Sequence, residues 1–483
     1  MKLEADAIVV GGGPVGLTLA CELRLAGLDV LLLERRAERV SNSRGMGMHG
    51  RTLEMLGLRG LAPRFRERAL PFSIGHFAVL DTRLDFSVLD PQYGVNLVIP
   101  QSVTEELLEA RAAELGVRLQ RGALARELWQ DEDGVSIAGD IGGAAFTARA
   151  AWLVGADGGR SLVRQQAGIA FEGHAASVYS MLGDVRLGAP LPGKAHTVVN
   201  QAGVLMVVPL GDGAYHRLIL IDAQRCREPS QQPATLEELA EGACRVAGYD
   251  LQLSDAVWLS RFSDETRLAA QYRKGRVLLA GDAAHIHMPA GGQGMNVGMQ
   301  DAFNLGWKLA SVVKGQADIA LLDSYDSERR AVGQQLLANT MAQTALLTAF
   351  DTRGLALRQL MNGLLRDPAT NRALALEVSG FGIAYPASLS MAPDGWRLLE
   401  EWTGARVPDW PLQLESGEQV QLHTRLHGGR WLYLRLRDDG PAGVEVPGSL
   451  QTVRAALGQP VPGLDGAAAL LVRPDGYAGY ALA

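Results

Sequence analysis

The run Leu279-Ala-Gly-Asp-Ala-Ala-His-Ile-His-Met-Pro-Ala-Gly-Gly-Gln-Gly-Met-Asn296 decides how this chain is read. Residues Gly275-Arg-Val-Leu-Leu-Ala280 form an apolar strand that ends in Gly281-Asp282. A loop rich in Pro and Gly follows, from Pro289 through Gly292 to Gly294, and enters a helix near Met295. Glycines this dense beside a strand-end carboxylate let backbone approach a ligand closely. The helix start beyond them offers free N–H groups and a positive dipole end.

A second signature lies far upstream, Gly11-Gly-Gly-Pro-Val-Gly16. It follows the apolar strand Ala7 to Val10 and opens a helix that carries Glu22 to Leu25. Gly11 permits the tight turn, Gly13 lets a pyrophosphate approach the backbone, and Gly16 lets helix and strand pack closely, with Pro14 and Val15 completing the loop. The next strand, Asp29 to Leu33, ends at Glu34, where the fold places a carboxylate on adenosine ribose hydroxyls. Glycines alone also suit ordinary turns. With strand, helix, second strand and terminal acid in order, the loop indicates a dinucleotide, and Gly281-Asp282 narrows it to a flavin, expected as non-covalent FAD.

At 483 residues the chain exceeds one ordinary domain. Its net charge of -7 recommends neither nucleic acid nor an anionic membrane as partner. The longest apolar runs, such as Val204 to Leu210, are strand-sized and far short of a bilayer span. The first strand begins within a few residues of Met1, without a signal-peptide pattern, so a cytoplasmic location is expected. Cys21, Cys226 and Cys244 are isolated, which argues against a disulfide framework.

The organisation is interleaved α/β. Residues 1–73, 99–177 and 270–330 are expected to form a discontinuous Rossmann-like FAD domain, with Trp152 to Asp157 as a further buried strand. Residues 74–98 and 178–269 are expected to form a β-sheet substrate domain. A helical segment over 331–395, with helical composition running from Asp323 to Leu365, leads into a C-terminal unit over 396–483. Pro100 to Glu106 reads as a helix start with Ser102 as N-cap and Glu105 three residues on.

These motifs, with Asp157-Gly-Gly-Arg-Ser-Leu-Val-Arg164, resemble the group A, single-component FAD-dependent aromatic hydroxylases of the para-hydroxybenzoate hydroxylase superfamily. His285 to Asn296 and Asp323-Ser-Tyr-Asp-Ser-Glu-Arg329 most resemble the hydroxylases of aromatic polyketides and the rifampicin monooxygenases. The resemblance implies hydroxylation of a hydrophobic phenol by dioxygen through a flavin C4a-hydroperoxide, with NADPH or NADH as transient reductant and NADPH preferred. It places Asp282 on the ribityl hydroxyls and Asp157 and Arg160 where flavin and nicotinamide meet. Arg35 and Gln101 fall on the adenine and ribityl sides, and Pro289, Gly292, Gly294, Met295 and Asn296 at the flavin pyrimidine. No acid or base for the substrate stands out, and Arg44 and Pro289 are the flavin-proximal candidates. The likeness extends to a thioredoxin-like C-terminal domain, in which no cysteine follows Cys244, so redox work there is excluded.

An apolar set on the middle sheet (Val204, Met206, Val208, Leu218, Leu220) suggests a broad pocket for a fused polycyclic phenol, although alternation should put about half of it in the sheet core. Rifampicin-type antibiotics and single-ring phenols are the alternative substrates, and a non-catalytic flavin-binding regulator is the alternative to an enzyme. A second nucleotide loop is absent, which disfavours a two-domain flavin reductase. No tryptophan has another two residues away, which removes the halogenase motif W-x-W-x-I-P. His285 and His287 invite a metal, but no third ligand lies near them in sequence, and packing is favoured. A monomer or homodimer is expected.

Overall fold

The computed structural model describes residues 1–40, 43, 45–193, 195–211, 213–230, 232–386, 396–438, 440–441 and 444–483. Lys2–Val10 stands in the middle of the main sheet, pairing in parallel with Val30–Glu34 on one side and Ala144–Gly155 on the other. Arg118–Arg121 extends the first side and Val277–Leu279 the second, again in parallel. Such strands are covered on both faces and read as unbroken apolar runs, as Val30–Leu33 does. Chain order reverses beside Lys2–Val10, which opens a crevice beyond the carboxyl ends of the strands.

The middle sheet has five strands in the order His196–Asn200, Gly203–Leu210, Tyr215–Asp222, Tyr179–Leu187 and Leu253–Ser263, all antiparallel. Helix Leu236–Ala247 covers one face, packing Leu239 and Ala243 with Leu205, Val207, Leu218 and Leu220. Of the five side chains expected at a pocket, Leu218 and Leu220 therefore belong to this core. Val204 and Met206 face the other way and pack with Phe77, Met288 and Ala290. Strand alternation makes the division.

One local expectation is corrected, and one helical stretch is resolved into its parts. The helix Gln101–Leu115 starts one residue before the expected first turn, with Pro100 at its N-cap and no side-chain cap. Ser102 lies inside it, and Glu105 accepts instead from Gln101 Nε2 at 2.8 Å. The stretch from Asp323 to Leu365 is two helices, Leu321–Leu347 and Thr352–Leu364. Asp351 divides them by accepting from the Gly354 amide at 2.7 Å, a local bond that favours a new helix start over continuation.

The C-terminal region carries a six-stranded sheet in which Trp431–Arg435 and Leu450–Leu457 run parallel. Its helical elements among the described residues are two 3-10 turns, Glu400–Trp402 and Leu422–Leu426. Among the described residues no helix is long and apolar enough to cross a membrane.

Candidate cofactor and substrate site

Three turns leave the carboxyl edge of the main sheet side by side. The Gly11 amide donates to Leu33 O, the Ala156 amide to Val10 O and the Ala280 amide to Gly155 O. Gly11 has φ 111°, and a Cβ there would stand 2.2 Å from Ala156 O. A Cβ on Gly16 would meet Gly11 O at 1.9 Å, so helix Pro14–Leu25 packs on its own loop as the spacing requires. Gly13 differs, because nothing lies within 4 Å of its Cβ position. Glu34 is buried at its strand end and accepts from the amides of Gly12 (2.7 Å) and Arg36 (2.8 Å).

Gly281, Asp282 and Ala283 form a 3-10 turn with the Asp282 side chain exposed. Pro289 and Gly292 are exposed further along, and helix Gly294–Val313 begins with no side-chain cap. Gly294 and Met295 are partly exposed in its first turn. Asn296 is buried, and its side chain is spent on the protein. It donates to Gly47 O and Gly292 O and accepts from the His49 amide.

Asp157 accepts from Ser161 Oγ at 2.5 Å and from the Val163 amide at 3.2 Å, while burial pushes its carboxyl above the usual range. Arg164 donates to Gly159 O and Ala283 O, stitching this segment to the Gly281–Ala283 turn. Arg160 and Arg35 are exposed. Gln101 Oε1 accepts from the Gly45 amide at 3.3 Å. Arg44 lies outside the described residues.

These donors fit FAD. Pro14–Leu25 and Gly294–Val313 both begin without a side-chain cap, so their first-turn amides are available to an anion, and the open space at Gly13 admits a diphosphate. The Glu34 and Asp282 carboxylates suit ribose and polyol hydroxyls. Residues 4–340 match the family model of an FAD binding domain, and residues 400–483 match that of the aromatic-ring hydroxylase C-terminal domain. The chain belongs to the FAD-dependent aromatic-ring hydroxylases.

This hydroxylase is an FAD-dependent aromatic monooxygenase. It is 42% identical over 488 residues to a 12-dehydrotetracycline 5-monooxygenase/anhydrotetracycline 6-monooxygenase of Streptomyces rimosus, covering 98% of this chain and 95% of that one. It is 40% identical over 480 residues to a rifampicin monooxygenase of Streptomyces venezuelae, covering 99% and 95%. The solved structure of CabE, an aromatic hydroxylase from angucycline biosynthesis, superposes with a TM-score of 0.88 at 39% identity, covering 99% of this chain and 96% of that one.

Buried polar residues that no motif singled out hold these segments together. Asp301 is fully buried and accepts from the Gly281 amide (3.0 Å), His285 Nε2 (2.8 Å) and Arg329 Nε (2.7 Å). Burial works against its charge, yet Arg329 and His285 hold its carboxyl below the usual value. His285 is thereby engaged, and His287 Nδ1 donates to Met288 O. His49 Nε2 donates to Gly291 O at 3.0 Å, and burial lowers the pKa of His49 to about 4. On the middle sheet Asp184 accepts from Arg217 Nε and Nη2, and Arg217 also donates to Ser43 O. The signal for Asp301 was present in sequence. Asp301, Asn304 and Lys308 form a polar stripe along the helix Gly294–Val313, and all three are buried.

Proposed function

We propose that this monooxygenase hydroxylates a fused polycyclic phenol or naphthol, taking electrons from NADPH as a transient partner, as a monomer or homodimer in the cytoplasm. The observation that carries the substrate class is the apolar face of the middle sheet. Val204 and Ile221, with Met206 and Phe262, pack in one cluster with Met288 and Ala290 of the loop before helix Gly294–Val313. An apolar wall against that loop suits a flat hydrophobic ring system better than a small acid. The likeness to the tetracycline-pathway and angucycline-pathway hydroxylases supports the same reading.

The chain's own residues supply binding and polarisation. Gly13 and the first turn of Pro14–Leu25 would hold the diphosphate, Glu34 the adenosine ribose, and Asp282 the ribityl chain. The amides at Gly294 and Met295, at a helix start, would face the flavin pyrimidine and stabilise negative charge there. Asp157 and Arg160 would stand on the nicotinamide side. Bound FAD supplies the activated oxygen that enters the ring. The apolar sheet face keeps water from the reacting edge.

Rifampicin-type antibiotics are the second reading, favoured by the 40% identity to a rifampicin monooxygenase. The test is a ligand panel scored by perturbation of the flavin spectrum, stimulation of NADPH oxidation and labelled-oxygen incorporation. Tetracyclic or naphthol ligands should stimulate oxidation, and one atom of the new hydroxyl should come from dioxygen. Efficient coupling by hydroxybenzoates alone would refute the large pocket, and label arriving from water would refute the monooxygenase chemistry.

A further inference from the structure

The turn His76-Phe-Ala-Val-Leu80 is absorbed by none of the motifs above. Ala78 and Val79 adopt φ 48° and 54°, a left-handed conformation that is costly for a β-branched residue. The surrounding structure holds it there. Gln343 Oε1 accepts from the Ala78 amide at 3.0 Å, and Arg358 donates to the carbonyls of Ala78 (3.0 Å) and Val79 (2.9 Å). Phe77, Ala78 and Val79 pack in the same cluster as Val204 and Ile221 of the middle sheet and Met288 and Ala290 of the loop before helix Gly294–Val313. The strained turn thus packs beside the apolar face proposed for the substrate, and it carries one imidazole.

Hydrogen bonding fixes how that imidazole presents itself. Nδ1 of His76 accepts from the Val79 amide at 3.3 Å, so Nδ1 bears no proton. Burial, with the Arg83 guanidinium and the His49 imidazole nearby, lowers the pKa of His76 to about 4, and the ring is neutral at neutral pH. A neutral imidazole that accepts at Nδ1 must carry its proton on Nε2. Nε2 makes no hydrogen bond among the described residues, and the residue is only partly buried. We infer that His76 orients the aromatic substrate by donating its Nε2–H to the substrate's phenolate oxygen. This rests on the pocket reading given under Proposed function. The donor favours the ionised phenol and so raises the electron density of the ring to be hydroxylated; His76 acts as a donor and removes no proton.

Two substitutions separate this from a structural role. In H76N the side-chain oxygen can still accept from Val79 while the distal donor is lost. In H76Q the longer amide restores a donor near Nε2 and gives up the turn bond. The probe is 2-hydroxyanthraquinone bound to the FAD-loaded protein, its ionisation followed by difference absorption across pH, with anthraquinone as control. H76N should raise the apparent pKa of the bound probe by about one unit, equivalent to about 1.4 kcal/mol, and lower kcat more than it raises KM. H76Q should stay near wild type. H76M, which has similar bulk and no donor, replaces H76N if that variant does not accumulate. Equal ionisation in wild type and H76N, or a shift in H76Q as large as in H76N, overturns the inference and leaves the pocket reading intact. If neither compound perturbs the flavin band of the wild type, the polycyclic pocket fails and the inference fails with it.

Discussion

Two aspartates on either side of one turn should fail in opposite ways. Asp282 is exposed at the crevice, whereas Asp301 is buried behind it and holds the Gly281 amide. D282A removes a charged acceptor for buried ligand hydroxyls, worth about 1.5–3 kcal/mol. FAD should therefore bind roughly ten- to a hundredfold more weakly, with a much smaller change in apoprotein stability. D301N leaves the Arg329 guanidinium buried without its counter-charge, a loss of about 3–5 kcal/mol. Its apoprotein should unfold at clearly lower urea, with flavin loss as a consequence. Urea titrations of both apoproteins beside FAD titrations check the pair, and a D301N apoprotein as stable as wild type would count against the positioning role.

At the scale of an element, the glycine loop makes a separable prediction. Gly13 sits in extended backbone (φ -81°, ψ -177°) with open space at its Cβ position, so alanine strains nothing in the protein itself. G13A should leave apoprotein melting unchanged and weaken FAD binding at least tenfold, because the methyl group stands where a diphosphate would approach. G16A should instead disturb the fold, since its Cβ would meet Gly11 O. This loop was legible in sequence because each glycine answers a local requirement, and the parallel strands were legible as unbroken apolar runs. The start of helix Gln101–Leu115 was misread because a capping-box pattern cannot show that Gln101 would engage Glu105 first. The His76 turn was invisible for a different reason. Nothing in His76-Phe-Ala-Val favours positive φ, and the conformation is imposed by Gln343 and Arg358 from far along the chain. Likewise, the apolar pattern of the middle sheet gave its alternation but not which face helix Leu236–Ala247 would cover.

Across the whole molecule, the C-terminal region is fastened to helices of the FAD-binding domain by buried charge. Arg473 donates to Glu328 and Asp475, and Lys308 donates to Glu328 at 2.8 Å. Arg406 reaches Glu54 and Asp90, and Arg59, paired with Glu22, donates to Leu426 O and Pro474 O. Lys308 and Trp307 lie on helix Gly294–Val313, and Trp307 packs edge-on against Trp431 at 5.2 Å. Burial opposes the charge on Glu328, but Arg473 and Lys308 bring its pKa down to about 2; Arg406 and Arg51 do the same for Glu54. A carboxyl whose folded pKa is depressed stabilises the fold above its unfolded value, near 4.5, and that contribution is lost as pH falls through about 2. Acid should therefore loosen the junction and the flavin site together over that window, so that tryptophan emission and FAD release follow one transition. E328Q should lower stability at pH 7 by about 3–5 kcal/mol, because Lys308 is left buried against a neutral amide and Arg473 keeps Asp475 alone as counter-charge. Its remaining stability should depend less on pH between about 4.5 and 2 than that of the wild type. Acid titrations of both proteins, read by tryptophan fluorescence and flavin absorbance, check this. A tryptophan change completed while FAD stays bound would mean that the C-terminal region unfolds on its own and that the buried charges do not couple it to the site.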